Sequence, residues 1–344
     1  MEKSEITIKD VAKLAGCSPT TVSRVINNSD HPVSSKTKAL VKEAIKELNF
    51  RPNRIAQGLK SDKSHIIGVI VHDICDSYFA QMVKGIEEFI SDYDYIINIY
   101  NTNRGIEKEL HSVNMLKVNR ADAVVFAGST LLDEEYRKIM GEYVQNLKKQ
   151  GTVIVGVTPH PFEIVNIELG NELAAQTITD YVLNKGHRKI AYVAGPKILN
   201  TSQQRSEGFK KALKCRGIEV DNRLIIRSDF SFEGGRKAAL ELLDNIDEVT
   251  AVVAANDATA LGLMWELNNQ GIKVPQDVSV VGVDDLPEAK YSYPPLTTIS
   301  LPVYKLGKQI GEYLINKLHG NKIVDDPANV QISLIERGSV RDLL

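Results

Sequence analysis

From His65 onward the chain repeats one unit, a short Val/Ile-rich run followed by an amphipathic segment. The runs IIGVIV (66–71), YIINIY (95–100), AVVFAG (123–128) and VIVGV (153–157) alternate with segments around 79–92, 106–118 and 133–149. A second series, KIAYVAG (189–195), LIIRS (224–228), AVVAA (251–255) and VSVVGV (278–283), is separated by segments 170–185, 203–216, 233–244 and 257–270. Continuous apolar strands with helical crossovers build parallel sheets covered on both faces. Two series predict two doubly wound lobes. Ligands of open α/β sheets bind outside the carboxyl ends of the strands, so two facing lobes predict a cleft.

The residues at those strand ends are polar and aromatic: His72, Asp73, Asp76, Tyr78, Phe79, Asn101 and Asn103 in the first series. The second offers Gln204, Arg205, Asp229, Phe230, Asn256, Asp257, Asp284 and Asp285. Carboxylates, amides and an Arg beside aromatic faces suit a polyhydroxylated ligand, whose hydroxyls donate and accept while its apolar faces stack on rings. Asp284 and Asp285 are neighbours on a strand and point to opposite faces, which removes them as an acid/base dyad. No GxSxG elbow, P-loop, HExxH or kinase signature is present, and the histidines lack metal-ligand spacing. The chain is therefore not expected to be an enzyme, and no metal or cofactor is expected.

The first 63 residues read differently. They carry twelve Lys and Arg against seven Asp and Glu, a surplus of +5, so the whole-chain charge of −2 leaves −7 on residues 64–344. A basic head on an acidic body suggests that the head meets a polyanion. Thr7 and Asp10 stand three apart, close to a capping box, and Ile8, Val11, Ala12, Leu14 and Ala15 follow at helical spacing until Gly16. Ser18 can cap a second helix with Pro19 in its first turn; Val22, Val25 and Ile26 face inward, and Asn27 and Asn28 break it. Ser34 or Ser35 opens a third helix with the stripe Leu40, Val41, Ala44, Ile45 and Leu48. Two short helices about a tight turn, closed by a third, predict a helix-turn-helix domain whose second helix reads the major groove. Pro19, Thr20, Thr21, Ser23 and Arg24 are left near its outer face, where hydroxyls read base edges and an Arg binds guanine or phosphate.

The run TIKDVAKLAGCSPTTVSRVINN, with VSSKTKALVKEAIKELNFRPNRIAQGL after it, resembles the LacI/GalR family of bacterial transcriptional regulators, and the likeness continues through IIGVIVHDICDSYFAQMVKGIE and VVGVDDLPEAKYSYPPLTTI over nearly the whole chain. The resemblance implies a helix-turn-helix headpiece (1–50), a hinge helix (51–64) and a type I periplasmic-binding-protein-like body (65–344). In that body the chain crosses three times between an N-lobe (about 65–165 and 300–325) and a C-lobe (about 166–299 and 326–344). It implies a homodimer or tetramer on pseudo-palindromic operator DNA, with Thr7, Ser18 and Asn27 joining the reading helix. Ala56 and Leu59 would wedge into the minor groove, with Asn53 and Arg54 near the backbone. So short a hinge segment, with Gly58 inside it, is marginal as a helix by itself. For the effector the resemblance implies contacts from Arg205 and Asp284, with His72, Asp76, Phe79, Asn103, Phe230 and Asn256 beside them.

The implied function is a repressor of carbohydrate-utilisation genes controlled by a sugar-like effector. Alternatives are a catabolite-control regulator answering to a phosphorylated carrier protein and a free-standing solute-binding protein. Two departures from the family pattern stand out: Val157 and Thr158 replace an Asp seen in many sugar-responsive members, and Val303 stands where some carry a ring. The first residues, MEKSEITIKD, are charged where an export signal needs an apolar core, so a cytoplasmic protein with no membrane partner is expected. The three cysteines, Cys17, Cys75 and Cys215, are expected to be buried or half-buried apolar residues.

Overall fold

The computed structural model describes residues 6–26, 31–50, 63–321 and 331–344. It divides into two compact units, Met1–Ser64 and His65–Leu344. In the first, α1 (Ile8–Leu14), α2 (Pro19–Ile26) and α3 (Ser35–Glu47) enclose a core of Val11, Ala12, Ala15, Val22, Val25, Val41 and Ala44. Leu14 and Leu40, expected in the inward stripes, are instead 46% and 43% exposed. The core of this small unit is closed by Val and Ala with Ile8, Ile26, Ile45, Leu48 and Phe50 packed at its rim, and Leu14 and Leu40 fall outside both sets. Gly16 has φ 63°, the left-handed geometry that lets α2 start so soon after α1. Ser34, rather than Ser35, caps α3: its hydroxyl accepts the Thr37 N–H at 3.1 Å.

The second unit holds two parallel sheets. The first has the order β2-β1-β3-β4-β5, with β1 Ile66–Val71, β2 Ile96–Asn101, β3 Ala123–Phe126, β4 Val153–Gly156 and β5 Val165–Asn166. The second runs β11-β10-β9-β8-β6-β7, with β6 Ile190–Ala194, β7 Ile225–Arg227, β8 Ala251–Ala254, β9 Ser279–Asp284 and β10 Thr297–Ser300; only β11, Ser333–Ile335, is antiparallel. The central strands β1, β3, β8 and β9 are buried almost throughout. Helices on both faces exclude water from them, which is why they read as unbroken apolar runs. Edge strand β2 differs, with Ile96 47% and Ile99 44% exposed.

The crossover helices are α4 (Ser77–Ile90), α5 (Ile106–Val118) and α6 (Glu134–Lys149) in the first lobe. The second has α7 (Asn171–Asn184), α8 (Asn200–Cys215), α9 (Phe232–Leu242), α10 (Asp257–Asn269) and the short α11 (Pro287–Tyr291). The last helix, α12 (Val303–His319), returns to the first lobe and lies against α4. That contact is backbone to backbone: a Cβ on Gly85 would sit 2.2 Å from the Tyr304 carbonyl oxygen. Asn166 pairs with Gly156 in the first sheet and Ser300 with Asp284 in the second, so the chain crosses at 167–170, at 301–302 and again between α12 and β11. Cys17 is half-buried, but Cys75 and Cys215 are exposed, against the expectation of apolar burial; one lies in the loop before α4 and the other in the last turn of α8.

Candidate functional site

A cavity lies between the two sheets, and its wall is made where strands end. His72 follows β1; Asp76 caps α4 by accepting the Tyr78 N–H at 2.9 Å, which sets Tyr78 and Phe79 in the first turn. Arg104 follows β2, Ser129 follows β3 and Thr158 follows β4. From the second lobe come Leu199, Thr201 and Arg205 at the start of α8, Phe230 after β7, Asn256 as the cap of α10, and Asp284 closing β9. Three of these wall residues, Arg104, Phe230 and Asp284, hold positive φ (61°, 67° and 126°), as do Asn103 and Asp285 beside them. Such geometry costs of order 1–3 kcal/mol per residue and persists where the surroundings over-determine it, typically at functional sites.

The second-lobe wall is a closed network. The Arg205 guanidinium donates from Nε to Asn171 Oδ1 (3.0 Å), from Nη1 to the Ala255 carbonyl (2.6 Å) and from Nη2 to Asp284 Oδ1 (2.7 Å). Burial works to raise the Asp284 carboxyl and the guanidinium to lower it; at 2.7 Å, with every nitrogen of the cation engaged, the pair is ionised. Asn256 accepts the Thr259 N–H at 3.2 Å and donates to the Phe230 carbonyl at 3.0 Å, so it holds the Phe230 turn in place.

The first-lobe wall is not closed. Burial pushes the His72 imidazole down to about 3, with the Arg104 charge acting in the same direction, so the ring is neutral. Its Nε2 accepts the Ser129 N–H at 2.9 Å, which puts the ring proton on Nδ1, and Nδ1 is buried with no partner. Arg104 Nε is also buried and unpaired; desolvation lowers its pKa, while Asp76, Asp229 and Asp73 favour its charge.

Of the residues expected to contact an effector, His72, Asp76, Phe79, Arg205, Phe230, Asn256 and Asp284 all line this cavity. Asn103 does not: it is exposed, and its Oδ1 accepts from Asn101 Nδ2 at 2.6 Å. The next residue, Arg104, takes the place in the wall. Thr158, noted as a departure from the family pattern, lines the wall and accepts the Thr130 N–H at 3.3 Å. Asn171 and Thr201 were missed because nothing local distinguishes them from ordinary residues opening a helix. Val303 is buried, away from the wall.

On the head, Ser18, Pro19 and Thr20 are exposed, while Thr21, Ser23 and Arg24 are half-buried. Ser18 accepts the Thr21 N–H at 3.1 Å and its hydroxyl bonds the Thr21 hydroxyl at 2.9 Å, so both form the α2 cap. The Thr7 hydroxyl and backbone N–H both donate to Asp10 Oδ2, at 2.6 and 2.8 Å. Asn27, Asn53, Arg54, Ala56 and Leu59 lie outside the described residues, and with them residues 51–62 of the hinge segment.

The head matches the family of bacterial regulatory proteins, lacI family, over residues 7–53, and the body matches the periplasmic binding protein-like domain over 179–340. The transcriptional repressor CytR of Escherichia coli strain K12 is 32% identical over 346 residues, covering 99% of this chain and 98% of its own. The ribose operon repressor of the same strain is 33% identical over 333 residues, 97% of this chain and 99% of its own. The chain belongs to the LacI family. Among solved structures, the Lac repressor dimer bound to operator and the anti-inducer ONPF superposes with a TM-score of 0.81 at 27% identity, covering 98% of this chain and 100% of that one. This LacI-family member is thus a DNA-binding transcriptional regulator, not an enzyme. No helix among the described residues is long and apolar enough to cross a membrane, and no group of His, Cys, Asp or Glu there could hold a metal ion.

Proposed function

We propose that this regulator is a cytoplasmic repressor of carbohydrate-utilisation genes, released from or driven onto its operator by a small neutral polyhydroxylated effector bound between the lobes. One observation carries the effector class. The charged side chains of the cavity wall balance, Asp76 and Asp284 against Arg104 and Arg205, beside the rings of Tyr78, Phe79 and Phe230. A wall of zero net charge that mixes donors, acceptors and aromatic faces favours a neutral ligand with hydroxyls and apolar faces over a phosphate ester or an amine. The likeness to the ribose operon repressor supports the same class.

For DNA, residues 1–50 form the reading head, with Pro19 and Thr20 presented to base edges and Ser23 and Arg24 at its flank. Residues 51–64 form the hinge that orders on DNA, Leu59 and Ala56 entering the minor groove. The body, 65–344, forms the dimer. Its exposed Phe232, Leu240 and Trp265, with the Arg236 guanidinium 4.3 Å from the Trp265 ring centroid, offer an apolar face suited to a second copy. Two-fold symmetry then calls for an inverted repeat in the DNA. Fluorescence anisotropy with a labelled inverted repeat and a scrambled duplex, with and without D-ribose, tests the reading. Preference for the symmetric duplex and an effector shift of roughly 5–150-fold are expected, the usual size of allosteric coupling. Equal affinity for both duplexes refutes it.

A further inference from the structure

We propose that the groove between α6 and the loop after β4, on the outside of the first lobe, is a second ligand site of the body. It would take a planar ring that carries a phosphate or carboxylate arm. The floor of the groove is a helix glycine that the fold itself does not require. Gly85, Gly208, Gly235, Gly262 and Gly307 are each held in their helices by packing: a Cβ there would lie 1.9–2.3 Å from a backbone oxygen of the neighbouring helix. Gly141, in the middle of α6, is different. A Cβ there would meet only the Phe162 ring, at 3.8 Å, an ordinary van der Waals distance. Glycine inside a helix costs stability relative to alanine, so one that no neighbour crowds points to something else that lies against it.

The two walls say what that is. Arg137, Lys138 and Lys148 share the α6 face with Gly141, at helical spacings from it of four, three and seven residues. Phe162 stands opposite, half-buried and packed against the core of the body, so its ring is a fixed wall. Bare helix backbone beside an aromatic ring makes a slot that suits a flat group, which can stack there. One end of the slot is fastened, because Lys148 Nζ donates to the Glu163 carbonyl at 2.9 Å and to Glu163 Oε2 at 2.7 Å. The other end supplies charge. Among the described residues Arg137 and Lys138 form no ion pair, and with Lys148 and Glu163 matched to each other only Glu142 stands against them in the groove. Two cations facing one carboxylate favour an anion and repel an amine. The same loop also reaches the cavity between the lobes: Thr158 lines that cavity, and its carbonyl meets His160 Nδ1 at 2.6 Å on the way to Phe162. A ligand seated on Phe162 therefore rests on a segment that forms part of the cavity wall, which makes the groove an accessory regulatory site.

A flat ring with an anionic arm is offered by a nucleotide and by an aromatic acid, and calorimetric titration of the full chain separates them. The probes are AMP with adenosine, benzoate with benzyl alcohol, and inorganic phosphate alone. The wild type is expected to bind AMP or benzoate about tenfold or more tightly than its uncharged counterpart and than inorganic phosphate, the scale of one charge-assisted hydrogen bond. Arg137→Gln combined with Lys138→Gln should weaken that anion about tenfold and leave the uncharged counterpart nearly unchanged. Gly141→Leu should abolish binding by filling the slot. Gly141→Ala should weaken the ligand while raising the melting temperature by about 1–2 °C, since the helix gains and nothing is crowded. Should Gly141→Leu fail to fold, Gly141→Ala and the double variant decide. Affinity unchanged in the Gly141 variants places the ligand elsewhere and overturns the site. A Gly141→Ala chain that melts below the wild type shows that the fold needs the glycine, and a wild type that binds neither anion removes the ligand; either result overturns the proposal.

Discussion

Glu109 offers a test of how the body tolerates a buried carboxyl. It lies in the first turn of α5, is 4% exposed, accepts the Tyr136 hydroxyl on Oε1 at 2.7 Å, and leaves Oε2 buried without a partner. Burial pushes its carboxyl from 4.5 up to about 7, against the pull of the Tyr136 hydrogen bond. A raised folded-state value means that the folded chain holds the proton more tightly than the unfolded one. The stability this confers is complete below about pH 4.5 and is lost as pH rises through 7. At 1.36 kcal/mol per pH unit the whole window is worth about 3 kcal/mol, and comparison of pH 5 with pH 8 samples about 2.5 of it. Glu109→Gln keeps the acceptor for Tyr136 and never ionises, so it should escape that loss. The unit His65–Leu344 has an unfolding entropy near 0.6 kcal/mol per kelvin at average values, so the variant should gain about 4 °C on the wild type between pH 5 and pH 8. Thermal unfolding of both proteins at the two pH values, followed by circular dichroism, measures it directly. A melting difference that is the same at pH 5 and pH 8 refutes the reasoning, since every other titrating group cancels between the two chains.

Thr20→Ala should alter base preference at one operator position by about 1–3 kcal/mol, the size of a lost base contact, while leaving non-specific affinity alone; competition anisotropy against single-base operator variants reads this. Leu59→Ala should weaken operator binding far more than non-specific binding, and equal losses on both duplexes would remove the minor-groove wedge. Gly85→Val should cost roughly 1–3 kcal/mol in thermal unfolding, because the added carbons meet the Tyr304 backbone oxygen of α12 and not a side chain that can turn aside.

The fold was legible because it rests on two local regularities, the apolar strand run and the amphipathic crossover, each of which needs only near neighbours in sequence. Seven of the eight residues expected at the effector site line the cavity for a related reason: a strand's carboxyl end is set by where its apolar run stops. The eighth, Asn103, stands one position from the wall residue Arg104. Whether Asn103 or Arg104 enters the wall depends on two consecutive left-handed backbones, a geometry that composition does not reveal for an Asn-Arg pair. Ser129 and Thr201 were invisible for a different reason. They matter through each other, the Thr201 N–H at the start of α8 donating to Ser129 Oγ of the opposite lobe at 2.9 Å, and no local pattern carries a contact between residues that far apart in the chain. Leu14 and Leu40 show the limit of periodicity itself: it gives the direction of a side chain, while the size of the core decides whether that direction is covered.

The Ser129–Thr201 bond is one of a set that joins the lobes. The Leu132 N–H donates to the Ile198 carbonyl at 2.7 Å, the Asn200 N–H to the Thr130 carbonyl at 3.1 Å, and the Ser77 hydroxyl to Glu288 Oε1 at 2.5 Å. At a net worth of about 0.5–1.5 kcal/mol each, the four together amount to roughly 2–6 kcal/mol. An allosteric coupling of ordinary size is about 1–3 kcal/mol, so making or breaking one or two of them is enough to shift operator affinity over the regulatory range. Two members of the set end on Ser129 or its neighbour Thr130, and Ser129 also donates its N–H to His72 in the cavity wall. The His72 ring and two of the inter-lobe bonds thus share one short segment, residues 129–130.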